Sequence, residues 1–359
     1  MKKFLLFTLL PMATFATPIK GFEANYQDWD LVCDNTGTCR MAGYQNEEKD
    51  EALPVSLLFT RLAGENASVS GELYILPIGE NEEDVKAGEN IEIWLNGKSL
   101  GTITHLSDEN PDKLTPTQTK ALLNGLKKSS EIRVTYGKNS RPLSDKGAMA
   151  AMLKMDEFQQ RLNTPSALIR QGESKKAVLA PQKVPTIQAV KVPNQKETRI
   201  ERGSAQFDNL LALLRQANGT DESKDNYCYG LESNKEYPTT EAITIYPLTQ
   251  GKVLAEALCY GGAYQYTNFY AVLDDKLTKV DQVLANQYNV AGYDKKSGYA
   301  YVAGEFKARG LGDCWVSEEA VWNGKIFLHS GKGSSGSCKG FGGGAWGQLP
   351  IFSTNIVTK

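Results

Sequence analysis

Six cysteines, two histidines and a few clustered carboxylates are the side chains of this sequence with the reach to do chemistry. The cysteines are Cys33, Cys39, Cys228, Cys259, Cys314 and Cys338, and they could be metal ligands, nucleophiles or disulfide partners. Structural zinc wants cysteines separated by two residues, or cysteines with histidines at ligand spacing. Neither pattern occurs. An even set in a chain that opens with an export signal favours disulfides. Six cysteines admit fifteen pairings, and the sequential one is expected: Cys33 with Cys39, Cys228 with Cys259, Cys314 with Cys338. The first pair brackets Asp34-Asn35-Thr36-Gly37-Thr38, a turn sequence that sets both sulfurs on facing strands. The last closes a loop of 25 residues around a hairpin. Chain-entropy arithmetic gives about 3.5 kcal/mol for that loop and roughly 9 to 10 kcal/mol for all three. With every thiol engaged, no cysteine nucleophile is expected.

His105 and His329 are the two histidines. A serine hydrolase would need a strained Gly-x-Ser-x-Gly turn between a strand and a helix. The nearest look-alike, Gly333-Ser334-Ser335-Gly336, lacks both spacing and context, so the histidines read as ordinary surface or sheet residues. Asp274-Asp275, and Asp145 with Asp156-Glu157, are the carboxylates available for acid/base or calcium chemistry. A glycosidase pair must face across a cleft, which linear spacing does not establish. No loop of alternating oxygen ligands ending in glutamate exists for calcium. Gly331 and Gly336 have phosphate-loop spacing, but Ser337 stands in the lysine position and no helix follows; the glycines read as a surface loop. The expectation is no catalytic residue, no cofactor and no metal. Tyr260, Tyr264, Tyr266 and Tyr270 concentrate aromatic rings. As sheet packing they need no role; exposed side by side, they would form a platform for carbohydrate or peptide. Trp315, Trp322 and Trp346 read as packing residues.

The elements that must position these groups are mostly strands. Alternation marks Tyr26–Asp34, Cys39–Tyr44, Val55–Leu62, Ser68–Leu76, Ile91–Leu95, Ser99–Thr104 and Glu131–Tyr136. Thr115-Pro116 opens a short helix. A longer one runs from a Ser144 cap to about Leu162, with Met149, Met152, Leu153 and Leu162 on its buried stripe. From 173 to 198 the composition turns to proline and lysine, which reads as an extended linker. A helix over Ser204–Ala217 puts Phe207, Leu210, Leu211 and Leu214 on one face. The remainder is β-rich: Ile243–Leu248, Val253–Tyr260, Asn268–Leu273, Tyr299–Phe306, then a hairpin. In that hairpin Trp315–Trp322 and Lys325–His329 are joined by a two-residue Asn323-Gly324 turn. Ser330–Gly344 is too rich in glycine and serine to hold a strand unaided. At the start, Lys2-Lys3, the apolar run Phe4–Leu10 and small residues up to Ala16 form an export signal cut after Ala16; the run is too short to span a bilayer. The expected layout is a signal peptide over 1–16, an N-terminal domain over 17–172, a linker over 173–198 and a C-terminal disulfide-stapled domain over 199–359. The fold class is mainly β with a few helices (α+β), in two β-rich domains. A formal charge of −2 on 359 residues gives no basic excess, so nothing in the composition points to nucleic acid.

The motifs DWDLVCDNTGTCR, PLSDKGAMAAMLKMDEFQQRLNTPSALI, RGLGDCW, VWNGKIF and SCKG together resemble the bacterial family called domain of unknown function 1176, exported proteins of about this length with six cysteines. Trp315 departs from that pattern, standing where a glycine is expected after Gly312-Asp313-Cys314. The N-terminal half also resembles the invasion-associated locus B family, which implies a β-sandwich-like N-terminal domain. A host-invasion role does not transfer through a fold, and neither resemblance supplies a catalytic residue.

The reading that follows is a non-enzymatic periplasmic or secreted protein that binds an unknown protein or an envelope polymer. Its contact regions would be the glycine-rich hairpin or the groove between domains. Two rivals are an envelope-polymer hydrolase using carboxylates, and an inhibitor presenting the stapled loop to a secreted enzyme.

Overall fold

The computed structural model describes residues 19–46, 53–77, 85–108, 110–221, 227–232, 240–284 and 287–358. The expected signal peptide, 1–16, lies outside them. The chain is mainly β, with three α-helices among the described residues.

Strands β1 (Phe22–Tyr26), β2 (Trp29–Cys33), β3 (Cys39–Tyr44), β4 (Val55–Arg61) and β5 (Val69–Ile75) pair in sequence as an antiparallel meander. β6 (Asn90–Leu95) and β7 (Lys98–Thr104) form a hairpin. At its turn Asn96 and Gly97 have φ of 51° and 74°, the left-handed pair that a tight hairpin turn demands. β8 (Asp112–Lys113) joins the first sheet beside β5, while β9 (Ile132–Tyr136) and β10 (Asn139–Leu143) complete a second sheet in the order β10-β9-β6-β7. Trp29, Leu31 and Phe59 from the first sheet meet Ile91, Ile93 and Val134 from the second in one core. This is the sandwich-like arrangement expected of the N-terminal half.

Two helices close that core. α1 (Pro116–Gly125) starts at Thr115, whose hydroxyl accepts the Gln118 N–H while the Gln118 side chain accepts the Thr115 N–H, a reciprocal cap. α2 (Ala148–Phe158) is shorter than expected, and Ser144 does not cap it. The Ser144 hydroxyl donates to Asp28 Oδ2 at 2.6 Å, and the chain enters the helix through Gly147 at φ 95°. A Cβ at Gly147 would lie 1.7 Å from the Tyr26 carbonyl oxygen. Starting three residues late shifts the helical phase: Ala148, Ala151, Met152 and Met155 face the core, and Met149 is exposed.

The C-terminal half stacks two five-stranded sheets. β11 (Thr186–Ala189) precedes β12 (Thr198–Glu201), α3 (Ala205–Asn218), β13 (Ala242–Pro247), β14 (Lys252–Gly261), β15 (Tyr266–Asp274) and β16 (Val280–Val283). The strands from β12 to β16 form one sheet in sequence order. β17 (Val290–Tyr293), β18 (Ala300–Lys307), β19 (Trp315–Trp322), β20 (Phe327–Ser334) and β21 (Leu349–Ser353) form the other, and β22 (Asn355–Thr358) runs parallel to β11. Ser204 caps α3, and Phe207, Leu210, Leu211 and Leu214 seat it on Ala255, Ala257, Phe269 and Ala271. The opposite face of that sheet meets the next one through Leu254, Tyr270 and Val272 against Val302, Ala320 and Trp322.

Three expectations change. The segment over 173–198 is strapped to both halves: Gly64 donates to the Leu179 carbonyl, Leu179 to Gln159 and Gln182 to Thr36 before β11 forms. The hairpin turn holds four residues, with Trp322 opposite Phe327 and the Asn323 side chain accepting the N–H groups of Lys325 and Ile326. β20 continues to Ser334 because β19 and β21 hydrogen-bond it from both sides; neighbours supply what its glycines lack. Trp315 opens β19 and donates its indole N–H to the Gly312 carbonyl at 2.8 Å.

The glycine-rich stretch after β20 is not a free surface loop. It lies across the outer face of the first sheet, where Phe341, Leu349 and Ile351 pack on Val32, Ala42, Tyr44 and Leu58. Trp346 donates to Ser56 Oγ at 2.7 Å, and Lys339 pairs with Asp28 at 2.9 Å. Asp30 receives the N–H and hydroxyl of Ser337 at 2.6 and 2.7 Å. This cover explains why β2 is buried at every position rather than on alternate ones.

Candidate functional site

The carboxylates flagged by sequence do not converge. Asp274 folds back on its own turn, accepting from the Thr278 hydroxyl and from the Thr278 and Lys279 N–H groups; the hydroxyl first, then the N–H groups, hold its carboxyl below the usual range. Asp145 accepts the Ser130 N–H at 2.7 Å. Glu157 is exposed beside Lys154. Asp156 is fully buried, bound to the Leu168 and Ile169 N–H groups and to Arg61. Asp275 flanks the same turn as Asp274, its N–H donating to Gly251.

The histidines are also separate. His105 is buried between Asp112 (2.8 Å) and Asp108 (3.0 Å). Burial alone would lower its pKa, but hydrogen bonds to the two aspartates carry it above the ordinary imidazole value. His329 stacks on Phe352 and touches Glu318 at 2.7 Å.

Cys33–Cys39 and Cys314–Cys338 are bonded. Asp313 stands beside the second pair, but both sulfurs are committed to each other, and Asp313 is engaged by Arg309 and the Gly340 N–H. Cys228 and Cys259 are buried thiols rather than a bonded pair. They nevertheless lie in hydrogen-bond contact, brought together because the short turn holding Cys228 packs on β14. The expected Cys228–Cys259 bond is not formed in this structure.

Of the groups that do converge, only Tyr266 and Tyr270 stood out in the sequence. A cleft of about 400 Å³ opens between the sheet of β12 to β15 and the edge strand β17, lined by Arg199, Glu241, Tyr246, Glu256, Tyr266 and Asn268 among others. Alternation along β14 turns Ala255, Ala257 and Cys259 toward α3 and Leu254, Glu256 and Leu258 the other way. Glu256 Oε2 accepts the Tyr270 hydroxyl at 2.7 Å and a longer bond from Tyr246 at 3.4 Å. Asn268 supports Tyr270 at 3.2 Å. Burial pushes the Glu256 carboxyl above its usual range; the hydrogen bonds from Tyr270 and Tyr246 oppose that, and nearby Glu197 adds to it. Burial beside Glu256 likewise raises both tyrosine hydroxyls, so they remain donors. Of the four clustered tyrosines, Tyr270 lies under the cleft and Tyr266 lines it, while Tyr260 and Tyr264 are exposed beyond it. Glu256 sits between two alanines in an alternating strand, so its sequence context reads as an ordinary solvent-facing position. Only the second sheet, folded over it, makes it a site.

Such a fold and cleft define a β-rich, disulfide-bearing protein with a preformed pocket of small-molecule size. The chain belongs to the DUF1176 family of proteins of unknown function, which it matches over residues 23–352. No functionally curated protein and no solved structure matches it. No helix among the described residues is long and apolar enough to cross a membrane.

Proposed function

We propose that this protein is a non-enzymatic binding protein of the extracytoplasmic envelope, and that the Glu256 cleft receives its ligand. The observation that carries the reading is the cleft itself: hydrogen-bonding groups line a pocket with an apolar wall of Leu258, Val290 and Ala291. The export signal and the two disulfides support an oxidising address. An inhibitor role is disfavoured because the stapled glycine loop faces this chain's own first sheet.

The test is a thermal-shift screen of the oxidised mature protein against small molecules and soluble polymer fragments from an envelope extract. A true ligand at one hundred times its Kd adds about 2.7 kcal/mol to stability, and mass spectrometry should recover it unchanged. A hydrolase is the second reading, favoured by the raised carboxyl of Glu256 with Glu241 on the same cleft. Conversion of a stabilising compound to a smaller product would replace the binding reading with that one.

The proposal extends to Cys228 and Cys259. In an oxidising compartment these neighbouring thiols should close, giving up two protons and two electrons to a disulfide oxidant. Unfolded, unreduced protein from such a compartment is expected to titrate no thiols. Two per chain would show that the pair stays reduced.

A further inference from the structure

We propose that the cleft takes an organic ammonium group, the cationic head of a small amine, with Glu256 as its counter-charge and tyrosine rings around it. This rests on the cleft being a binding site and adds the class of ligand. Glu256 is the group that lacks an ionic partner: among the described residues no lysine or arginine lies within ion-pair distance of its carboxylate, which is met by tyrosine hydroxyls instead. The other charges that line the cleft are matched. Arg199 pairs with Glu201 at 2.7 Å and Glu241 with Arg202 at 3.1 Å. A partly buried carboxylate without a cation is unfavourable, and here Glu197 adds a second negative charge to its surroundings. An ammonium ion relieves both costs, whereas an anion would worsen them and a neutral sugar would leave them unchanged. The aromatic environment points the same way. Tyr246 and Tyr266 line the cleft, and the Tyr293 ring centroid lies 6.3 Å from that of Tyr246; aromatic rings attract alkylammonium groups. Leu258, Val290 and Ala291 offer the apolar wall that methylene or methyl groups need.

Calorimetric titration of the full mature chain with putrescine and with tetramethylammonium tests this, with a neutral disaccharide and sulfate as the contrasting probes. Ammonium binding is expected, weakened at least tenfold in Glu256→Gln and severalfold in Tyr266→Ala. The second variant changes an exposed ring and should keep the fold. Arg199→Ala removes a positive charge from the cleft lining and should strengthen amine binding. Disaccharide binding that is lost in Tyr266→Ala, with no response to either amine, would overturn the ammonium assignment and keep the cleft as a binding site. Sulfate binding lost in Arg199→Ala would overturn it in favour of an anion. Silence from all four probes would overturn the ammonium assignment while leaving the broader extract screen to judge the cleft.

Discussion

Replacing Asp156 by alanine is expected to lower the unfolding free energy by about 3–5 kcal/mol, the cost of removing one member of a buried ionic group. Asp156 sits on α2 with no exposed surface, between two arginines that are themselves buried. Arg61 reaches it at 3.3 Å and also donates to the Ser166 carbonyl at 2.6 Å. Arg161 donates to Gln159, Ser166 and the Gly64 carbonyl. Burial raises the Asp156 carboxyl above its ordinary value, more than the N–H groups of Leu168 and Ile169 and the two arginines lower it. The intact cluster is therefore no great source of stability. Breaking it is different. Arg61 is already lowered to about 10, by burial first and then by Arg161, with Asp156 opposing. Without the carboxylate, two guanidinium groups face one another with little solvent, and two N–H groups lose their acceptor. Urea unfolding of Asp156→Ala should show a lower midpoint with an unchanged slope. Asp156→Asn keeps an acceptor and should lose less. A loss below about 1 kcal/mol in the alanine variant would mean that water reaches the cluster and screens it.

Asp156 also marks how far the sequence carries. Its helix was legible from apolar spacing, and the residue stood out as a carboxylate, but its ion-pair partner Arg61 comes from a strand far earlier in the chain. Several local signals were sound, although the Asn323-Gly324 turn and the Ser144 cap were not. Thr115-Pro116 starts α1, Ser204 starts α3, and Cys33 faces Cys39 across a turn; each is decided by residues within a few positions of one another. What failed was context. Glycines between Ser330 and Ser334 became strand because two neighbouring strands hold them. Met149 turned outward because Gly147 delayed the helix. Glu256 was overlooked because nothing next to it in sequence announces a second sheet. Tyr266 alone among the residues flagged for a binding surface ended beside it on the cleft wall.

Asp30→Ala is expected to uncouple the two halves of the chain. We infer that 17–172 and 199–359 are separate folding units, each with a core of its own and a shared apolar contact. Asp30 is the polar centre of that contact: it is buried and accepts four hydrogen bonds, from Asn25 and Tyr44 in its own half and twice from Ser337 in the other. Hydrogen bonds to a charged group are worth about 1.5–3 kcal/mol each. Losing the two that cross between halves, and stranding the Ser337 N–H, should remove about 3 kcal/mol of coupling. Gly336 makes the contact possible. A Cβ there would lie 2.5 Å from Asp30 Oδ2, and its φ of 78° is left-handed, so no bulkier residue brings Ser337 so near. Calorimetry of the oxidised parent should give one unfolding transition, and Asp30→Ala two, with Ser337→Ala intermediate. Proteolysis should follow the same order, with the strap between Leu179 and Thr186 cut faster once the halves part. One transition at an unchanged temperature in Asp30→Ala would show that the apolar cover of Phe341, Leu349 and Ile351 holds the halves together by itself.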